Sequence, residues 1–278
     1  MTTLNETEIR RRIEHLGDLP TLPHVVQKLA STIGQPNVSA EHLGLLIEKD
    51  QVLSAKVLRL ANSPLYGFPS RIASVAHAVV VLGLNVVKGL TLCATAFDMM
   101  KDAGMTQLWR HSLGVAMMAQ ILGTRLQIRN PEEVFVAGLL HDIGKVVLYM
   151  KWADVATQLR ETVRTTDRPM LEVEQDVLQL SHADVGGYLA EAWHLPTALR
   201  EPILYHHQPS LAREATLQTS IVHVADVLVK GLACGNPGDE LVPTLSPSAW
   251  EAVRLDDSSL ADCIAKASDE FLTIDDYL

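Results

Sequence analysis

VAGLLHDIGKVVLY, residues 136–149, is the stretch that decides how this chain is read. An apolar run ends on an imidazole and a carboxylate side by side, His141 and Asp142, with Gly144 and Lys145 just behind. A carboxylate can bridge two cations, and a neighbouring imidazole can fix one of them. The dipeptide alone is common in proteins. Its weight comes from its company: His111 upstream, and His182, His206, His207 and Asp226 downstream.

Outward from that stretch the pattern is helical. Apolar residues recur at three- and four-residue spacing and strand-like alternation is scarce, so the chain is predicted to be all-α. A short polar helix is expected over 5–16, then a turn at Pro20 and Pro23 and a helix to Ile33. Ser39 reads as an N-cap for a helix carrying Leu43, Leu46 and Ile47. The next helix, from Val52 to Asn62, is stopped by Ser63-Pro64, and residues 66–69 are rich in breakers. Ser74 opens two helices joined near Gly83-Leu84-Asn85. Longer helices are predicted over 106–127, 132–141, 152–165, 170–178, 181–192, 197–206 and 216–232. Residues 235–246 carry prolines and glycines and read as a loop, followed by two terminal helices within 247–278.

All candidate ligands lie in the second half. Two helical lobes are therefore expected, residues 1–104 without a catalytic cluster and 105–234 with one, followed by an extension over 235–278.

At 278 residues and 47% hydrophobic, the chain can bury a sizeable core. A net charge of −10 with no basic run argues against a general nucleic-acid binder, which needs clustered Lys and Arg. A small phosphorylated ligand held at a metal site remains compatible. Cys93, Cys234 and Cys263 are scattered and odd in number, as expected of reduced, mostly buried thiols in a cytoplasmic protein. The N-terminus is polar and lacks a signal peptide's apolar core, and no uninterrupted apolar stretch reaches membrane-spanning length.

Five imidazoles and two carboxylates exceed what one tetrahedral zinc uses. They suit two cations sharing a carboxylate, a layout that holds a phosphate and activates a water. The nitrogen-rich set favours iron, manganese or zinc over magnesium or calcium. Each position also has a plainer reading. His111 follows Trp109-Arg110 in a helix and could also read as a surface residue. His182 follows the good N-cap Ser181, and His206-His207 end a helix, where the dipole favours histidine. Asp226 sits in an apolar run, where an unpaired carboxylate is costly. His223 reads as packing or as support for the site. Lys145 reads as a phosphate-binding point charge or as a helix C-terminal cation. His15, His24, His42, His77 and His194 read as ordinary structural histidines.

The spacing His111 … His141-Asp142 … Asp226 resembles the HD superfamily of metal-dependent phosphohydrolases. The strings LPTLPHVVQKLASTI, LIEKDQVLSAKVLRLANSPLYG, SVAHAVVVLGLNVVKGLTL and SHADVGGYLAEAWHLP, with ILYHHQP, resemble the narrower HDOD domain of bacterial signalling proteins, over roughly residues 19 to 230. The resemblance implies an HD-type helical core with an N-terminal helical HDOD lobe and a signalling role. HDOD domains commonly lose HD ligands and act as non-catalytic modules, yet this chain keeps all four HD positions. His182, His206 and His207 resemble the extra ligands of HD-GYP cyclic-dinucleotide phosphodiesterases. Gln208-Pro209 follows them, the Gly-Tyr-Pro string is absent, and Gln107 stands where some three-metal relatives carry Glu.

Two functions follow from this reading. One is a metal-dependent phosphohydrolase with two divalent ions (Fe, Mn or Zn) acting on a phosphoester, nucleotide or cyclic dinucleotide, with Asp142 bridging and Lys145 steadying a phosphate oxygen. The other is a non-catalytic signalling module that binds a kinase, response regulator or cyclase and keeps a structural or sensing metal site. A di-iron oxygenase is a third, weaker reading.

Overall fold

The computed structural model describes residues 47, 51–62 and 71–83, scattered positions between 86 and 100, residues 105–272, and residue 274. Among the described residues there is no strand. The helices expected over 5–16 and up to Ile33, the Ser39 cap and the loop at 66–69 lie outside the described residues.

α1 (Gln51–Ala61) and α2 (Val75–Leu82) are clipped together by Asn62. Its Nδ2 donates to the carbonyls of Leu58 and Ile72, and its Oδ1 accepts the Ile72 N–H at 2.7 Å. Ser74 caps α2 by accepting the His77 N–H, and Gly83, at φ +86°, ends it at the predicted join.

The helices that follow are built around α3 (Thr106–Arg125), which is buried from Leu108 to Gly123 apart from Arg110. Small residues let neighbours approach its backbone. Gly138 of α4 (Pro131–Leu140) lies so close that a Cβ there would meet the Ala116 Cα at 2.9 Å. Pro131 at the first turn of α4 lacks an N–H the helix could not pair, and Glu132 and Glu133 favour the dipole's positive end.

A further helix, α5 (Ile143–Lys151), was not anticipated. It follows α4 with only His141 and Asp142 between, and both helices are apolar there, so the pattern runs across the break. Lys145 consequently sits in the first turn of a buried helix and is not a C-terminal cation.

The remaining elements are α6 (Ala153–Thr166), α7 (Met170–Leu178), α8 (His182–Ala192), α9 (Thr197–Tyr205), a 3₁₀ turn (Pro209–Leu211), α10 (Thr216–Gly231), α11 (Pro247–Val253) and α12 (Asp257–Phe271). Where an expected helix lies among the described residues with both ends assigned, those ends fall within one or two residues of the expectation. α3 packs against α4, α10 and α12, α5 crosses α8, and α9 lies against α4, α8 and α10. Residues 235–246 form an irregular segment between α10 and α11.

Candidate metal centre

Five segments deliver the seven candidate ligands to one place. His111 comes from mid-α3, His141 and Asp142 from the α4–α5 junction, and His182 from the first turn of α8. His206 and His207 follow α9, and Asp226 comes from α10. Six are buried and His207 is partly exposed.

Local rules hold each segment. Ser181 and Asp184 form a capping box that fixes the first turn of α8. Gly144 lets α5 lie backbone to backbone on α8: a Cβ there would sit 1.9 Å from the His182 carbonyl oxygen. Glu201 of α9 accepts the N–H groups of Arg213, Glu214 and Ala215, which ties α9 to the start of α10.

The ligand atoms form overlapping groups. His111, His141 and Asp226 offer one, His182, His206 and His207 a second, and within each the atoms lie within 4.8 Å of one another. Asp142 lies between them. Its Oδ2 is 3.4 Å from His141 Nε2 and 3.9 Å from His111 Nε2. Its Oδ1 is 3.2 Å from His182 Nε2 and 3.9 Å from His206 Nε2.

Backbone and carboxylate acceptors set the ring tautomers. His141 Nδ1 donates to the Gly138 carbonyl at 2.7 Å, His206 Nδ1 to the Ile203 carbonyl at 2.9 Å, and His182 Nδ1 to Glu174. In the neutral rings this leaves the Nε2 lone pairs of all three facing the cluster. His182 Nε2 is also 2.9 Å from His207 Nε2.

Buried polar atoms are normally paired. Here His206 Nε2, Asp142 Oδ1 and both nitrogens of His111 are buried without a hydrogen bond. His111 Nε2 lies 3.0 Å from Asp226 Oδ1 outside hydrogen-bond alignment. Unpaired, convergent donors of this kind fit a pair of cations, and the imidazole-rich set fits iron, manganese or zinc.

Electrostatics favour the deprotonated form for both carboxylates and for three of the five rings. Burial pushes His206 and His207 well below the usual imidazole range, and neighbouring rings add to it. Burial also lowers His111, against the pull of Asp226. Asp142 is held well below the carboxylate range although burial opposes it, through Lys145 and His141. Asp226 is lowered likewise, against burial, by His111. His141 and His182 are raised despite burial, the first by Asp142 and the second by Glu174. Lys145 Nζ donates to Asp142 Oδ2 at 2.8 Å; that carboxylate raises the lysine against its burial and keeps it charged.

Beside the cluster lies a cavity of about 240 Å³, lined by Asp142, Lys145, His182, His207 and Asp226 and by residues of the 235–246 segment.

Glu174 and Glu201 were missed in sequence. Glu174, on α7, is buried and accepts both the N–H and the Nδ1–H of His182. It lies eight residues upstream across a turn, where spacing carries no signal. His223 supports the site, as expected: its Nδ1 donates to the His206 carbonyl at 2.7 Å and its Nε2 accepts the Ser246 N–H at 2.9 Å. His77 and His194 are exposed and stand apart from the site. Cys93, Cys234 and Cys263 are buried thiols that form no disulfide among the described residues.

An all-helical core in which two imidazole groups share one buried carboxylate defines a protein of HD type. Residues 19–209, more than half of the chain, match the model of the HDOD domain, and the chain belongs to that family. It is similar to an HDOD domain protein of unknown function from Geobacter sulfurreducens, at 28% identity and a TM-score of 0.74, covering 98% of this chain and 99% of that one. A Shewanella amazonensis protein, named provisionally as a phosphohydrolase, shares the fold at 21% identity and a TM-score of 0.60, covering 93% and 97%. An uncharacterized protein of Treponema pallidum is 25% identical over 239 residues, 84% of this chain and 46% of that protein. The chain thus spans less than half of that relative's length. No helix among the described residues is long and apolar enough to cross a membrane.

Proposed function

We propose that the chain is a metal-dependent phosphohydrolase of HD type that acts on phosphoesters in bacterial signal transduction. One observation carries the reading: the two oxygens of buried Asp142 turn to different imidazole groups, Oδ2 to His141 and Oδ1 to His182. That is the arrangement a bridging carboxylate needs. His111, His141 and Asp226 would hold one divalent ion, His182, His206 and His207 the other, and Asp142 both. Such a pair, of iron, manganese or zinc, supplies Lewis acidity at phosphorus and a water of lowered pKa.

The chain's own residues do the rest. Glu174, Gly138 and Ile203 hold three rings with Nε2 inward. Lys145 stays charged and lines the cavity, where its ammonium can donate to a phosphate oxygen. Hydrolysis adds water across the ester P–O bond: the water oxygen joins phosphorus, and the ester oxygen leaves as an alcohol with one of the water's protons. In this reading residues 105–234 carry the site, residues 1–104 receive a partner such as a kinase, response regulator or cyclase, and 235–278 extend the core.

The test is elemental analysis of protein purified without added metal, followed by turnover of an aryl phosphoester after loading. About two equivalents of iron, manganese or zinc are expected, with turnover abolished by Asp142→Ala. Two ions without turnover on any phosphoester overturns the enzymatic reading and leaves an HDOD signalling module with a structural or sensing metal site.

A further inference from the structure

The cavity beside the cluster has a roof that belongs to the site. The segment 235–246 is tied at both ends to helices that carry candidate ligands. Near its start, the Asn236 N–H donates to the Gln107 carbonyl at 3.1 Å, one turn before His111 on α3. Gly235, at φ +74°, presses onto the His111 backbone, where a Cβ would meet the amide nitrogen at 2.3 Å. At its end, Ser246 N–H donates to His223, one turn before Asp226 on α10.

Its middle is fixed by Asp239. One oxygen of this nearly buried carboxylate takes the Lys230 ammonium at 2.5 Å and the Leu241 N–H at 3.1 Å. The other accepts the Met170 N–H at 2.9 Å. Leu241, Val242 and Pro243 line the cavity together with Met170 and add apolar surface to its charged lining.

One physical quantity follows, which is size. The cavity of about 240 Å³ lies below the range of pockets for drug-sized ligands. It accommodates one phosphate and one small organic group, as in a monoester. A diester adds a second organic group, and a cyclic dinucleotide, with two bases, two sugars and two phosphates, exceeds the space beneath the anchored segment.

We propose that this site takes small phosphomonoesters, and that the anchored segment 235–246, held by Asp239, sets the size limit. The proposal rests on the phosphohydrolase reading for its chemistry, in which the monoester P–O bond is replaced by one to water and an alcohol is released.

The experiment uses the full chain loaded with manganese. Binding of phenyl phosphate, diphenyl phosphate and cyclic di-GMP is measured by calorimetry, and turnover is followed with p-nitrophenyl phosphate, bis(p-nitrophenyl) phosphate and cyclic di-GMP. The monoester is expected to bind at least tenfold tighter than the diester or the dinucleotide. Asp239→Ala, which releases the roof, is expected to narrow that ratio. Val242→Ala, which trims the roof and touches none of its anchors, should move the ratio the same way if Asp239→Ala does not fold. Equal or tighter binding of cyclic di-GMP or of the diester overturns the proposal, as does a ratio that neither variant moves. The two readings separate cleanly. Turnover of cyclic di-GMP keeps the hydrolase and sinks the size limit. Selective monoester binding without turnover of any phosphoester keeps the size limit and sinks the hydrolase.

Discussion

Replacing Gly144 with alanine adds one methyl group, 1.9 Å from the His182 carbonyl oxygen and 2.7 Å from the Gly186 amide nitrogen. Both neighbours are backbone, so no side-chain rotation relieves the clash. Opening the first gap to 3.0 Å, the closest a real Cβ comes, moves α5 away from α8 by about 1.1 Å. Asp142 sits at the start of α5 and His182 at the start of α8, so the same movement widens the 3.2 Å separation of their facing atoms. Metal–ligand bonds tolerate about 0.2 Å, and a displacement of about 1 Å commonly costs a hundredfold in a positioned site. The second ion is therefore expected to be lost while the first stays. Overpacking of this kind costs about 1–3 kcal/mol, equivalent to a melting point lower by roughly 3–10 °C. Elemental analysis and thermal melts of the metal-free protein read the two effects separately. Gly231→Ala is the control, because a Cβ there meets nothing within 4 Å. Retention of two ions at wild-type affinity in Gly144→Ala would refute the claim that this helix crossing builds the site.

Glu174→Gln keeps an oxygen to accept from His182 and removes the charge behind the ring. A titration with manganese should show the weaker ion loosened by about 10-fold or more. Glu201→Ala strands the amides of Arg213, Glu214 and Ala215 and should cost about 1–3 kcal/mol in urea unfolding, since only that carboxylate gathers them. Acid should weaken the metal-free protein. Unfolded imidazoles take up protons as pH falls below 6.5, while folded His206 and His207, lowered by burial, do not. The unfolded state then binds more protons, and stability falls by about 1.4 kcal/mol per pH unit for each ring. The raised rings His141 and His182 act in the opposite sense and only above that pH. A urea midpoint of metal-free protein that is unchanged between about pH 6.5 and 5.5 contradicts this. Lys145→Met removes the ammonium that donates to buried Asp142, and should destabilise the metal-free protein by about 3–5 kcal/mol. Loading with manganese should restore much of that loss in a thermal melt.

Much of the stretch from 105 to 272 was legible because its helices are bounded by strong signals. Pro131, Ser181 and the proline- and glycine-rich 235–246 segment each mark a boundary that the structure keeps. The seven candidate ligands were legible as residue types, since a carboxylate in the apolar run around Asp226 has few uses. Their convergence was visible only through family resemblance, because nothing in local spacing relates His111 to Asp226. The break between α4 and α5 was hidden, as apolar residues continue on both sides of His141-Asp142. Glu174 and Glu201 were hidden for a different reason. Their partners are backbone amides and a ring on another helix, and a sequence pattern records neither.

The scattering of the donors along the chain has a kinetic consequence. His111 and Asp226 are brought together from distant helices, α3 and α10, and each of the two ligand groups draws on at least two segments. A chain emerging from the ribosome would complete neither group until those helices have packed. Ion uptake would then be a late event that reports finished folding, and stalled or truncated products would be poor scavengers of iron or manganese. The same dependence runs backwards: a chelator that withdraws the ions removes a clamp spanning five segments at once, so its effect should reach all of them rather than one loop.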